Sequence, residues 1–345
     1  MTPASPTGRR RRPSRARAAL HLLLLAAIWP ATLPAAERRY TIAFANLTEE
    51  PGVALEGTGF TGPEVRESFV LAARNLPVEL VFYDNQRDGG KALANAADAI
   101  ARKVDLYIQY HQDPAANLAV AEKLRAAGIP VLAVNYPVPG APLYTADNLE
   151  AGRIAGEALG RFATSQWPGQ AVAAALLGNL ADQGHRLHER AQGVREGLRR
   201  HLPAVRVAAL DTQGNAGQVA ILLGKFMAGQ PTGKLLVAVM DDATALAAKG
   251  PLEAAGRLQD AAIVSQGVDR SIHGGVSERK EIDPYNRGSI VIGSVAFYLD
   301  RYGYDILPLA LRVLRGEKVP PRTTTRHLLV TAANVWREYP PRDMN

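Results

Sequence analysis

The chain has 345 residues, 40 basic and 33 acidic side chains, a formal net charge of +7 and no cysteine. The missing cysteine excludes disulfides, thiol nucleophiles and cysteine-based metal sites. The positive charge is local: residues 1–36 hold six arginines (Arg9–Arg12, Arg15, Arg17) and no acidic residue, which leaves 34 basic against 33 acidic residues beyond them, a balance of +1 without a basic stripe, and argues against nucleic-acid binding.

The arginine-rich start runs into the apolar stretch Ala18–Ile28, then Pro30, Pro34 and Ala35-Ala36. A basic region, a short apolar core and small residues describe a secretory signal peptide over residues 1–36. A membrane-spanning helix would need about twenty apolar residues. With no cysteine to carry a lipid, the expectation is an exported, unlipidated protein of the periplasm.

From there strand-like and helix-like patterns alternate. Arg39–Asn46 predicts a first strand, followed by a long Gly- and Glu-containing loop over 47–63. Glu64–Asn75 predicts a helix, with Val65, Phe69, Ala72 and Leu76 at helical spacing. Val78–Tyr83 reads as a strand and Lys91–Arg102 as a helix. The apolar runs Val104–Tyr110 and Ile129–Asn135 have the length of buried parallel strands. Between them Asp113-Pro114 starts a helix and Gly128 stops it. Leu149–Ser165 predicts a helix ended by Trp167-Pro168-Gly169, then come strand Val172–Leu177, helix His185–His201 and strand Val205–Leu210. Helix Ala216–Met227, strand Leu235–Met240 and helix Thr244–Ala255 follow. Ile263–Val268 and Ile290–Ala296 read as strands around a polar insertion, Ser277–Gly288. Arg301–Leu314 predicts a last long helix and His327–Val330 a tail strand. Such alternation predicts α/β lobes with parallel sheets covered on both faces. Ligands of such sheets bind beyond the carboxyl ends of the strands, which directs attention to Tyr110-His111-Gln112-Asp113 and Asn135-Tyr136.

Several segments resemble the type I periplasmic sugar-binding proteins, the solute receptors of ABC importers. They are AAGIPV at 126–131, ADN at 146–148, EAG at 150–152, Val239-Met240-Asp241-Asp242 and Ala254-Ala255-Gly256-Arg257. The resemblance covers roughly residues 39–335. It implies two similar doubly wound parallel-sheet lobes joined by a three-segment hinge. The crossings are expected near Tyr144–Asp147, Phe297–Tyr298 and Arg322–Arg326. The first lobe would be 37–145 plus 298–322, and the second 146–297 plus 323–345. Hinged closure on a ligand is the motion such a design permits.

The same resemblance nominates site residues. Asp113, Asp241 and Asp269 fall where the family places ligand-binding side chains, and Asp242 where it caps a helix. Aspartate for the family's asparagine at Asp241 would favour a ligand that offers more donors, or a positive charge. His188 takes the place of a first arginine that donates to sugar hydroxyls, and Arg190 matches a second. Tyr110, His111 and Phe297 replace residues of the binding corner and the second crossing, and rings there can cover the apolar face of a sugar. Asn46 ends the first strand without the family's N-P-F-F continuation, and Phe60 could supply a ring from the loop instead. No P-loop, G-x-S-x-G or H-E-x-x-H pattern is present. The expectation is therefore no catalytic site, no cofactor and no metal. The expected function is capture of a small polar ligand, a sugar or sugar-like compound, by a monomeric receptor for an inner-membrane ABC permease. Two alternatives are a receptor for a membrane sensor kinase or chemoreceptor, and an exported enzyme.

Overall fold

A computed structural model describes residues 38–180, 186–274, 279–286 and 288–340. The expected signal peptide, the His188 side chain and part of the 277–288 insertion lie outside the described residues. In chain order the first lobe contains β1 (Tyr40–Asn46), α1 (Gly62–Ala73), β2 (Val78–Asp84), α2 (Gly89–Ala101), β3 (Leu106–Gln109), α3 (Pro114–Ala126), β4 (Val131–Val134) and β5 (Leu143–Thr145). The second contains α4 (Asn148–Gln166), β6 (Val172–Gly178), α5 (Arg186–His201), β7 (Val207–Asp211), α6 (Gln218–Ala228), β8 (Lys234–Val239), α7 (Asp242–Ala254), β9 (Ala261–Gly267) and β10 (Val291–Ala296). The chain returns to the first lobe for α8 (Tyr302–Leu314) and β11 (Arg322–Thr324), and ends in the second with β12 (Leu329–Val330) and α9 (Val335–Glu338).

The two sheets run β11-β5-β4-β3-β1-β2 and β12-β10-β9-β8-β6-β7. All pairings are parallel except β12 against β10. Within each lobe the first five strands follow the doubly wound order 2-1-3-4-5, whose switch point lies between the first and third strands. Alternation along β1 explains the layering. Ile42 and Phe44 face the cluster with α1 and α8, while Ala43 and Ala45 face α2 and α3. Along β8, Leu236 and Ala238 face α4 and α5, and Leu235, Val237 and Val239 face α6 and α7.

Helix starts follow local chemistry. Asp88, Asp113, Asp147 and Asp241 each cap a helix by accepting a backbone N–H. The cap of α7 is Asp241, accepting from Thr244, and not Asp242, which the sequence reading placed there. Two hinge expectations are refined: Leu143–Thr145 and Arg322–Thr324 are paired strands of the first sheet, so the crossings begin just after them.

Helices α4 and α5 pack unusually closely. A Cβ on Gly152 would lie 2.0 Å from Arg190 O, on Gly156 2.2 Å from Val194 O, on Gly193 2.1 Å from Leu149 O and on Gly197 2.3 Å from Arg153 O. Glycine four residues apart on both helices thus lets the backbones touch. Gly193→Ala should destabilise the protein by about 1–3 kcal/mol through overpacking. Gly224→Ala, in α6 with open space around it, should instead stabilise by about 0.5–1 kcal/mol through helix propensity. Urea unfolding of the two variants checks the opposite signs.

Candidate functional site

The carboxyl ends of β1 and β3 in the first lobe are fixed by a buried amide chain. Asn95 donates to Asn85 Oδ1 at 2.9 Å, and Gln109 donates to Asn117 Oδ1 at 3.0 Å. Asn117 in turn donates to His111 O at 2.8 Å and Pro137 O at 3.2 Å. These bonds shape the corner Tyr110–His111. His111 is fully buried, and neither ring nitrogen has a hydrogen-bond partner among the described residues. Burial lowers its pKa, which keeps the ring neutral.

Asn46, at the end of β1, clamps both ends of the loop that follows. Its Nδ2 donates to Glu49 Oε1 at 2.8 Å and Gly62 O at 2.9 Å, and its Oδ1 accepts from Leu47 N–H at 2.9 Å. Further out the loop folds on itself. Ala54 bridges Thr61, Leu55 N–H donates to Phe60 O at 2.7 Å, and the Thr58 hydroxyl donates to Leu55 O at 2.8 Å. Leu55, Thr58 and Phe60 are buried. Glu56 and Gly57 are both left-handed, with φ of 56° and 61°, and turn the tip Glu56–Gly59 outward from its base.

That tip meets side chains of both lobes. From the first, the Tyr110 hydroxyl donates to Glu56 Oε1 at 2.6 Å and accepts from Asn135 Nδ2 at 3.2 Å. From the second, Arg190 donates to Glu56 O at 2.9 Å and Gly57 O at 3.0 Å. The same guanidinium donates to Met240 O at 3.1 Å, just past β8, and through Nε and Nη2 to Asn148 Oδ1 at 3.1 and 2.8 Å. It lies over the Phe297 ring, 4.3 Å from the centroid. The glycine contacts of α4 and α5 set this geometry, because Asn148 and Arg190 sit on neighbouring turns of those helices.

Asp269 faces the other side of the tip: a Cβ on Gly59 would lie 1.5 Å from Asp269 Oδ2 and 2.3 Å from its Cγ. Asp269 Oδ1 accepts from Ser271 N–H at 2.7 Å. Val268, just before it, is buried with φ of 63°, a strained conformation for a β-branched residue. The strain is held by Val268 N–H donating to Ser294 Oγ at 3.1 Å. Behind it, fully buried Asp242 accepts from Ser265 Oγ at 2.5 Å, Ser294 Oγ at 2.7 Å and Asp269 N–H at 2.8 Å. Burial, with the nearby Asp269 charge, raises the Asp242 pKa to about 7 against the pull of those three donors.

The three crossings are tied together by one imidazole. His327 Nε2 accepts from Asp147 N–H at 3.0 Å, and its Nδ1 lies 2.9 Å from Ala296 O. Since Nε2 accepts, the proton must sit on Nδ1. The ring packs edge-on against Phe297, centroids 4.7 Å apart. Burial, aided by the Arg190 charge, lowers the His327 pKa to about 4. A second tie joins the third crossing to the end of β5, with Thr325 N–H donating to Thr145 O at 2.9 Å.

Of the residues nominated from sequence, Tyr110, Phe60, Arg190, Asp269 and Phe297 gather around or within the loop, and Asn46 secures its base. Asp113 is exposed at the head of α3, with Oδ1 accepting from Ala115 N–H at 2.9 Å. The Asp241 carboxylate is bound back to Thr244 N–H and Oγ1 at 2.7 and 2.8 Å. Asn135 stands at one of the strand ends to which the sequence directs attention, whereas Asn148, Glu56, Gly59 and His327 were not nominated. Asn148 stood inside the ADN motif and could have been; the others join the site through contacts distant in sequence.

Residues 54–318 match the model of a periplasmic binding protein domain. No curated protein matches the chain by sequence. Among solved structures, a myo-inositol-bound ABC transporter solute-binding protein from Bacillus halodurans is 19% identical, with a TM-score of 0.60, covering 88% of this chain and 97% of that one. A D-allose-bound periplasmic solute-binding protein from Actinobacillus succinogenes is 14% identical, with a TM-score of 0.66, covering 87% and 100%. The fructose-binding periplasmic domain of a hybrid two-component system is 19% identical, with a TM-score of 0.60, covering 87% and 93%. The paired doubly wound sheets agree with these folds, and the family match spans most of the chain: it belongs to the periplasmic binding protein domain family.

Proposed function

We propose that this chain is an exported periplasmic receptor that captures a small polar solute, a sugar or polyol, between its lobes and delivers it to an inner-membrane ABC importer. The observation that carries the reading is the convergence of sugar-binding chemistry from both lobes. Tyr110 comes from one side, and Arg190, Asp269 and the Phe297 ring from the other. A guanidinium and a carboxylate bind hydroxyls in complementary senses, and a ring covers an apolar sugar face. Asn46 and Phe60 belong to the wall of the site. Asp113 and Asp241, capping helices at the carboxyl ends of β3 and β8, together with His111 and His188, complete the proposed set. In this reading no bond is made or broken, and closure turns on the three crossings around His327.

Calorimetric titration with D-allose, D-fructose, D-glucose and myo-inositol tests the proposal. At least one should bind, and Asp269→Ala should weaken it about tenfold or more, since a hydrogen bond to a charged group contributes about 1.5–3 kcal/mol. Binding unaltered by Asp269→Ala, with the fold intact, would put the site elsewhere. A sensory role is the second reading, supported by the likeness to a two-component-system domain. Uptake of the labelled solute after deletion of the gene, with the importer genes expressed constitutively, separates the two: an importer component is still needed, a sensor is not.

A further inference from the structure

We infer that residues 54–61 are a tethered occupant of the interlobe site, and that a solute binds by displacing their tip. This rests on the receptor reading for the identity of the competitor, but the occupancy itself stands on contacts. The groups expected to grip a solute are already engaged. Arg190 holds two carbonyl oxygens of the tip, Glu56 O and Gly57 O, as it would hold hydroxyl oxygens. The Tyr110 hydroxyl holds a third oxygen, Glu56 Oε1. Asp269 is pressed against the Cα of Gly59. The loop therefore presents oxygen acceptors to both lobes at once, the arrangement by which a sugar would join them.

The construction suits a removable element. The base is fixed through Asn46, Gly62 and the Ala54–Thr61 bridge, whereas the tip contacts Arg190 and Tyr110 through hydrogen bonds. A solute's hydroxyls can replace those bonds one for one. Gly57 and Gly59 leave the tip free of bulk, and Glu56 and Gly57 are left-handed, so its course depends on backbone that can rearrange. A ligand competing with such an occupant binds with an apparent affinity reduced by the fraction of molecules whose tip is withdrawn.

Gly59→Val tests the inference. The new Cβ would overlap Asp269, and that carboxylate cannot easily swing aside because it is buried and holds Ser271. The whole chain is stripped of solute by unfolding, dialysis and refolding, then measured by small-angle X-ray scattering. Stripped wild type should have a radius of gyration that does not fall further when a binding solute is added, and stripped Gly59→Val should show a larger one. In calorimetry, any solute of the four above that binds wild type should bind Gly59→Val about tenfold tighter or more. If Gly59→Val does not fold, amide hydrogen exchange on stripped wild type decides: Leu55 and Thr58 N–H should exchange faster when a binding solute is added. Stripped wild type that contracts when a solute binds, or a solute that binds both proteins equally, overturns the inference. Failure of all four solutes to bind, with Gly59→Val larger than wild type, leaves the tethered occupant standing and sinks the sugar receptor instead.

Discussion

Arg190→Ala is expected to lower the unfolding free energy by about 3–5 kcal/mol. The side chain is almost fully buried, and among the described residues its nitrogens make five hydrogen bonds to four acceptors: Glu56 O, Gly57 O, Met240 O and Asn148 Oδ1. Removing it strands those acceptors, each worth about 1–3 kcal/mol when buried and unmet, with water entering to recover part of the loss. It also removes the cation from the face of Phe297, worth about 0.5–2 kcal/mol. Arg190→Lys keeps the charge but not the planar fork, so it should fall between wild type and alanine. Urea unfolding measures all three. A cost below about 1 kcal/mol for alanine would mean that the tip and α5 are not joined through this side chain.

The second large effect concerns acid. His327 has a folded pKa of about 4, against an ordinary value of 6.5. Above 6.5 the imidazole is neutral in both folded and unfolded chains, and its environment contributes in full. As pH falls from 6.5 to 4 the unfolded chain takes up a proton that the folded chain refuses. Stability is therefore lost through that window, by about 3 kcal/mol in all. Protonated Nε2 can no longer accept from Asp147 N–H, so the loss falls on the crossings. Asp242, and Asp300 two residues before α8, have pKa values raised mainly by burial and push stability in the opposite direction over the same range. The decisive quantity is thus a difference. Between pH 7 and pH 4, wild type should lose about 3 kcal/mol more than His327→Gln, in which the other groups still titrate. Parallel pH profiles for the two proteins would show that the ring is not held neutral by its surroundings in solution.

The lobes were readable because their signals are local. Asp113-Pro114 and Gly128 bracket α3, and the apolar runs before and after it are β3 and β4. What escaped were elements that exist only through their neighbours. Leu143–Thr145 and Arg322–Thr324 are too short to show alternation and become strands by lying side by side at the edge of one sheet. The site divides in the same way. Residues standing at strand ends, such as Tyr110 and Asp269, could be nominated from order along the chain. The role of the 47–63 loop could not, since Gly57 meets Arg190 across 133 residues of sequence. Asp242 was misread because two adjacent aspartates offer equal capping chemistry. The choice between them is made by Ser265 and Ser294, on strands β9 and β10.

The order in which the strands join also bears on how the protein is made. The first sheet is completed by β11, and α1 is covered by α8, whose Gly303 N–H donates to Ser68 at 2.9 Å. Both pieces leave the ribosome after nearly all of the second lobe. An emerging chain can therefore assemble β1 to β5 but must leave Phe69 and its neighbours on α1 without their α8 cover until synthesis is almost over. Contacts so distant in sequence close slowly. The two lobes should consequently reach their final form together and late, and a fragment ending before Tyr302 should behave as an unfinished, aggregation-prone intermediate rather than as a stable lobe.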